Sequence, residues 1–167
     1  MNSHSIEIFL SEHQKQLAID EAYRRESFNN KLGLKGRLDA VSGGLESLLM
    51  HMEGAAGEVA VASYLGLESE LFKQKTPVRG SYDLPPNIDV KSRSRHEWDL
   101  LIMMDEPSSK LFVLVTIQFK RIFLHGAIEG SDAMKPKFIK EYRKNRPVYS
   151  IPQSQLRPLQ DFPYVWN

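Results

Sequence analysis

The segment Ser81-Tyr82-Asp83-Leu84-Pro85-Pro86-Asn87-Ile88-Asp89-Val90-Lys91 decides how the rest of the chain is read. Proline cannot donate to a β ladder and asparagine tolerates left-handed backbone, so Pro85-Pro86-Asn87 suits a tight loop between two short extended runs. A hairpin symmetric about Pro86 sets Leu84 opposite Ile88 and Asp83 opposite Asp89. Directly opposed residues on antiparallel strands have Cβ atoms roughly 4.5–5.5 Å apart. Two ionised carboxylates about 5 Å apart repel by about 3 kcal/mol at an effective dielectric of about 20. Such a pair calls for a proton or a cation between its members. Lys91 lies two residues beyond Asp89 and projects from the same strand face. Two acids and a lysine on one face point to a divalent-metal site with a positive charge beside it.

Working outward, the clearest helix is Leu45–Leu65, where Leu45, Leu48, Leu49, Met52, Ala55, Ala56, Val59 and Ala62 form an apolar stripe and Gly66 supplies a stop. Gly54 and Gly57 interrupt it at a cost of about 1 kcal/mol each relative to Ala. They make sense where the helix backbone lies close against another element. Glu58 and His51, seven residues apart, share a helix face. Beyond the hairpin, Trp98–Met104, Leu111–Phe119 and Ile122–Ile128 read as strands, with a turn at Asp105–Ser109. Phe112-Val113-Leu114-Val115 is apolar on both faces, as a central strand should be. Ile6–Asn29 reads as a helix capped by Ser3 or Ser5, Asn29–Gly44 as a glycine-rich loop, Leu71–Val78 as a weak strand, and Met134–Lys144 as a basic helix with Pro136 in its first turn. Val148–Ile151 reads as a last strand and Ser154–Leu159 as a helical turn. The expectation is an α/β (α+β) chain with a mixed central sheet flanked by helices, its N-terminal helical arm and loop spanning 1–44 and its main body 45–167.

Composition narrows the chemistry. The 167 residues include no cysteine, which removes thiol catalysis, disulfides and Cys-ligated zinc. The apolar fraction of 41% supports a core, and no apolar run reaches membrane-spanning length, so a cytoplasmic protein with no membrane partner is expected. Residues 1–70 hold 6 Lys/Arg against 11 Asp/Glu, whereas residues 88–146 hold 12 against 8. Such asymmetry points either to an acidic scaffold half beside a basic working half or to ordinary surface charge. The five histidines show no paired zinc spacing, and neither a phosphate-binding glycine loop nor a Gly-x-Ser-x-Gly elbow occurs.

A helix carrying Gly57-Glu58, followed by Asp83 and then Asp89-Val90-Lys91, resembles the PD-(D/E)xK nuclease superfamily over residues 45–130. Tyr82 stands where that motif has its proline, and the two aspartates are separated by only five residues. The resemblance implies a restriction-endonuclease-like fold and a hydrolase that cuts phosphodiester bonds of DNA, with RNA not excluded. It implies that Glu58, Asp83 and Asp89 bind Mg²⁺ or Mn²⁺ and that Lys91 assists the attacking water. Many such enzymes form homodimers to cut both strands. Arg93, Arg95 and Lys120 continue the basic side of the strands and are the expected nucleic-acid contacts. Two alternatives stand beside this: a nuclease-fold protein that binds nucleic acid without cutting it, and an interaction module whose acidic N-terminal helix docks on a protein partner.

Overall fold

The computed structural model describes residues 4–33, 45–73 and 80–166. Its centre is β4 (Leu111–Gln118), whose first six residues are all buried. Leu111, Val113 and Val115 point to one side of the sheet, and Phe112 and Leu114 to the other. Both faces are therefore covered, as the unbroken apolar run requires. β5 (Arg121–Glu129) pairs antiparallel with β4, β1 (Ile6–Ile8) pairs antiparallel with β5, and β2 (Ile88–Arg93) lies parallel to β4. The order β1-β5-β4-β2 makes β2 an edge strand. A second sheet, in the order β3 (Leu100–Met103), β7 (Arg146–Ile151), β6 (Ile139–Arg143), is wholly antiparallel. The chain is a mixed α/β fold with, among the described residues, three helices and two sheets.

Helix α2 (Leu45–Leu65) covers one face of the first sheet. Its small side chains Ala60, Val61 and Ala62 pack on Leu111, Val113 and Val115, with Leu159, Phe162 and Val165 of the C-terminal turns closing the same cluster. The second sheet covers the opposite face through Leu100, Ile102 and Ile151 against Phe112, Leu114 and Ile128. The short α3 (Gly130–Ala133) follows β5. Gly66 ends α2 with a left-handed φ of 71°.

Four elements differ from expectation. The helix expected over Ile6–Asn29 is a strand, Ile6–Ile8, and then α1 (Glu12–Leu32), capped by Ser11 in a capping box with Gln14 rather than by Ser3 or Ser5. Tertiary pairing with Leu124, Phe123 and Ile122 wins over the helical spacing of Ile8 and Phe9. Residues 6–32 of the expected arm are built into the body: β1 joins the main sheet and α1 packs along α2. The basic helix expected over Met134–Lys144 is instead a three-ten turn, Pro136–Phe138, followed by the exposed edge strand β6. Residues 71–72 of the expected strand Leu71–Val78 are a turn and Lys73 is irregular, and the remainder, like 34–44 of the expected loop, lies outside the described residues.

At Gly126 the register between β4 and β5 slips by one residue, so that Leu114 pairs with Gly126 and Val115 with Leu124. The bulge turns His125 fully inward, where Nε2 lies 2.6 Å from Thr116 Oγ1 and Nδ1 lies 2.9 Å from Ser5 Oγ. Burial, helped by the nearby charge of His96, holds this imidazole down to about 4, so it is neutral in the folded chain near neutral pH.

Candidate functional site

The hairpin forms as its sequence suggests, but as a single bridge. Leu84 and Ile88 are paired and exchange backbone hydrogen bonds of 3.1 Å and 2.8 Å around a cis Pro85–Pro86 peptide. The ladder does not extend to Asp83 and Asp89. Instead the amide of Asp83 donates to Ile88 O at 2.8 Å, and its carboxylate curls over the free edge of β2 to accept the Val90 N–H at 2.7 Å. Asp83 thereby sits between two other acids that approach from opposite faces of the strand. Glu58 reaches it from α2, on the face of Ile88 and Val90. Asp89 stands with Lys91 on the face of Phe112.

Helix α2 can come this close because position 57 is glycine. A Cβ there would meet Ser92 Oγ at 2.1 Å and Val90 Cγ1 at 3.5 Å. At Gly54 a Cβ would meet an Arg25 guanidinium nitrogen at 3.7 Å, so the first glycine faces α1 and the second faces β2. The close approach that the two glycines suggested is therefore made at Gly57, against β2, whereas Gly54 leaves room for a Cβ at ordinary contact distance from Arg25.

Each acid has a distinct environment. Burial, then the charge of Glu58, then that of Asp89, drives the Asp83 carboxyl well above the usual aspartate range. Glu58 is 7% exposed and holds Arg25 of α1 in a fork, with both oxygens accepting at 2.8 Å. Asp89, 6% exposed, binds Lys110 Nζ through Oδ1 at 2.6 Å. Its Oδ2 is buried with no hydrogen-bonding partner, although Lys91 Nζ lies 2.5 Å away as a charge contact.

Lys91 and Lys110 are bridged a second time by Glu106, at 3.0 Å and 2.9 Å. Asp89, Lys91, Glu106 and Lys110 therefore form a closed square of alternating charge. Burial works against the ionised Glu106, but the two lysines outweigh it and pull its carboxyl down to about 2. Burial likewise opposes the charge on both lysines, and the two acids outweigh it and raise them.

The structure thus brings Glu58, Asp83, Asp89 and Lys91 into one cluster and adds Arg25, Glu106 and Lys110 to it. Glu106 had been legible only as a turn residue, and Lys110 fell between that turn and the strand expected from Leu111. No helical spacing rule could have joined them, because both lie in the turn segment before β4. The expected nucleic-acid residues lie further along the sheet. Arg93 stands four residues beyond Asp89, about 13 Å at strand rise. Its guanidinium lies 4.5 Å from the Trp98 ring centroid and that of Arg95 lies 5.5 Å from it. Lys120 is exposed at the β4–β5 turn, where it and Phe119 both take left-handed backbone.

As oxygen donors of a buried, mutually repelling set, Asp83 and Asp89 suit a hard divalent cation, which would share Asp89 with the Lys110 and Lys91 ammoniums at its two oxygens. Glu58 does not suit one in this arrangement, because Arg25 occupies both its oxygens. Among the described residues, no three His, Asp or Glu side chains converge as a ligand set. Also among them, no helix is long and apolar enough to cross a membrane. Compared with known proteins, the chain matches no family model, no curated protein and no solved structure.

Proposed function

We propose that this chain is a divalent-metal-dependent nuclease acting on DNA, with a restriction-endonuclease-like core. The observation that carries the reading is Asp83, a buried carboxyl at a strand edge whose ionisation is opposed by burial and then by the charges of Glu58 and Asp89, with Lys91 acting in the other direction. Like charges gathered out of water demand a proton or a cation between them, and a divalent ion at this strand edge would meet that demand. Asp83 and Asp89 would hold Mg²⁺ or Mn²⁺, with Glu58 joining once it leaves Arg25. The ion supplies an activated water and neutralises charge on the phosphate and the leaving oxygen.

The chain's own residues then do the rest. Lys91, kept charged by Asp89 and Glu106, orients the water and stabilises charge developing on the phosphate. Glu106 and Lys110 hold Lys91 and Asp89 in place. Arg93, Arg95 and Lys120 take the nucleic-acid backbone, with the Arg93–Trp98–Arg95 stack offering an aromatic face as well as charge.

The test is cleavage of plasmid, single-stranded, branched and RNA substrates in Mg²⁺ or Mn²⁺. Wild type is expected to cut at least one, and Asp89→Ala to lose at least about 100-fold, the scale of removing a key electrostatic group. A wild type inert on every substrate overturns the reading.

One observation favours a second reading, a nuclease-fold protein that binds nucleic acid without cutting. Arg25 and Lys110 already neutralise Glu58 and Asp89. Retained, salt-sensitive DNA binding with no heat of Mn²⁺ binding would select it.

A further inference from the structure

Four carboxylates meet three cations at this site: Glu58, Asp83, Asp89 and Glu106 against Arg25, Lys91 and Lys110. Lys91 and Lys110 are each locked between Asp89 and Glu106. Arg25 is different. It comes from α1, and it is held from behind: its Nε donates to Glu21 Oε1 at 2.8 Å while its two terminal nitrogens reach Glu58. Glu21 is itself 6% exposed and fixed by Arg24, which grips it with Nε and Nη2 at 2.7 Å. Among the described residues no cation is in ion-pair contact with Asp83, the acid next to Glu58.

We infer that Arg25 is a built-in competitor for the metal: a latch from α1 that occupies Glu58 until a divalent cation takes it. The inference rests on the metal-site reading above and adds its regulation. The geometry favours exchange at this corner over the others. When Glu58 turns away, Arg25 keeps Glu21, so neither buried charge is stranded. Displacing Lys110 or Lys91 would leave Glu106 and Asp89 with half their compensation. The apparent metal affinity is then the intrinsic affinity reduced by the fraction of molecules in which Glu58 is released, and α1 feels whether the site is loaded.

The experiment is calorimetric titration of Mn²⁺ into wild type, Arg25→Gln, Arg24→Gln and Asp89→Asn, without nucleic acid. Arg25→Gln is expected to bind at least about tenfold more tightly than wild type, the scale of a latch closed nine-tenths of the time. Arg24→Gln removes the same charge at a guanidinium that supports Glu21 and leaves Arg25 on Glu58, and is expected to tighten binding less than Arg25→Gln does.

An unchanged or weaker affinity in a folded Arg25→Gln, with Asp89-dependent binding in wild type, overturns the latch and leaves the metal site standing. No binding in wild type or in Arg25→Gln overturns both. A variant-free measurement covers the case in which Arg25→Gln does not fold. The Arg25 Nε–H resonance of labelled wild type is expected to shift along the Mg²⁺ binding isotherm, and a resonance unmoved at saturation overturns the latch.

Discussion

Replacing Lys110 by methionine is expected to cost about 3–5 kcal/mol of stability, the scale of stranding one partner of a buried ion pair. Methionine keeps most of the side-chain volume and removes the ammonium that joins Asp89 to Glu106. Both acids lie almost wholly out of water, at 8% and 6% side-chain exposure, and Lys91 alone remains to neutralise them. For a chain of this size each kcal/mol is worth about 2–4 °C, so melting should fall by about 6–20 °C, with the guanidinium midpoint moving and its slope constant. Adding Glu106→Gln should recover about half, because the double variant again has one acid and one base. A shift below about 2 °C would show that the square is solvated.

The pH dependence has a definite sign. Glu106 is held at about 2 against an ordinary 4.5. A lowered acid contributes stability that is present above the unfolded value and lost as pH falls through the folded one. The gap between wild type and Lys110→Met should therefore be full above about pH 5 and close as pH falls from there towards 2.

Gly126→Ala is expected to cost at least about 3 kcal/mol, from backbone strain and steric overlap together. Gly126 has φ of 122°, which side-chain-bearing residues rarely adopt, and an added Cβ would lie 2.5 Å from the carbonyl oxygen of Arg157. That carbonyl accepts the Ala127 N–H at 2.8 Å, and Arg157 N returns a bond of 2.9 Å to Ala127 O. This exchange docks the C-terminal segment, which brings Leu159, Phe162 and Val165 onto the core. Melting should fall by about 6–12 °C, and limited proteolysis should open the chain first after residue 157. Cleavage no faster than in wild type would show that the segment is anchored by its apolar side chains alone.

Patterns confined to one segment were legible. The Pro-Pro-Asn loop, the apolar stripe of α2 and the unbroken apolar run of β4 each carry their structure in adjacent residues, and the in-phase pair Asp89 and Lys91 follows from strand alternation. What could not be read came from pairings across the chain. Arg25 lies 33 residues before Glu58. It was one basic residue among several on a helix, and no local period marks it as the partner of a buried acid. Ile8 and Phe9 fit helical spacing, yet β5 offers Ile6–Ile8 a ladder. The capping box of Ser11 and Gln14 was visible and marks the true helix start. Ile139–Arg143 carries no apolar alternation because all five residues are exposed, so its lysine and arginine mimicked a helix surface.

The placement of Asp83 at the rim of β2 has a consequence for handling the protein. An outermost strand presents unpaired amides to any other chain, and proteins guard such rims against self-association. Here the guard is the Asp83 carboxylate, which occupies the Val90 N–H. A residue proposed for chemistry is then expected to shield this strand edge as well. Asp83→Ala should therefore raise the aggregated fraction in light scattering, whereas Asp83→Asn, which keeps a side-chain oxygen acceptor, should stay monodisperse. Asparagine is thus the substitution to use when silencing this position, since alanine would confound lost chemistry with lost solubility.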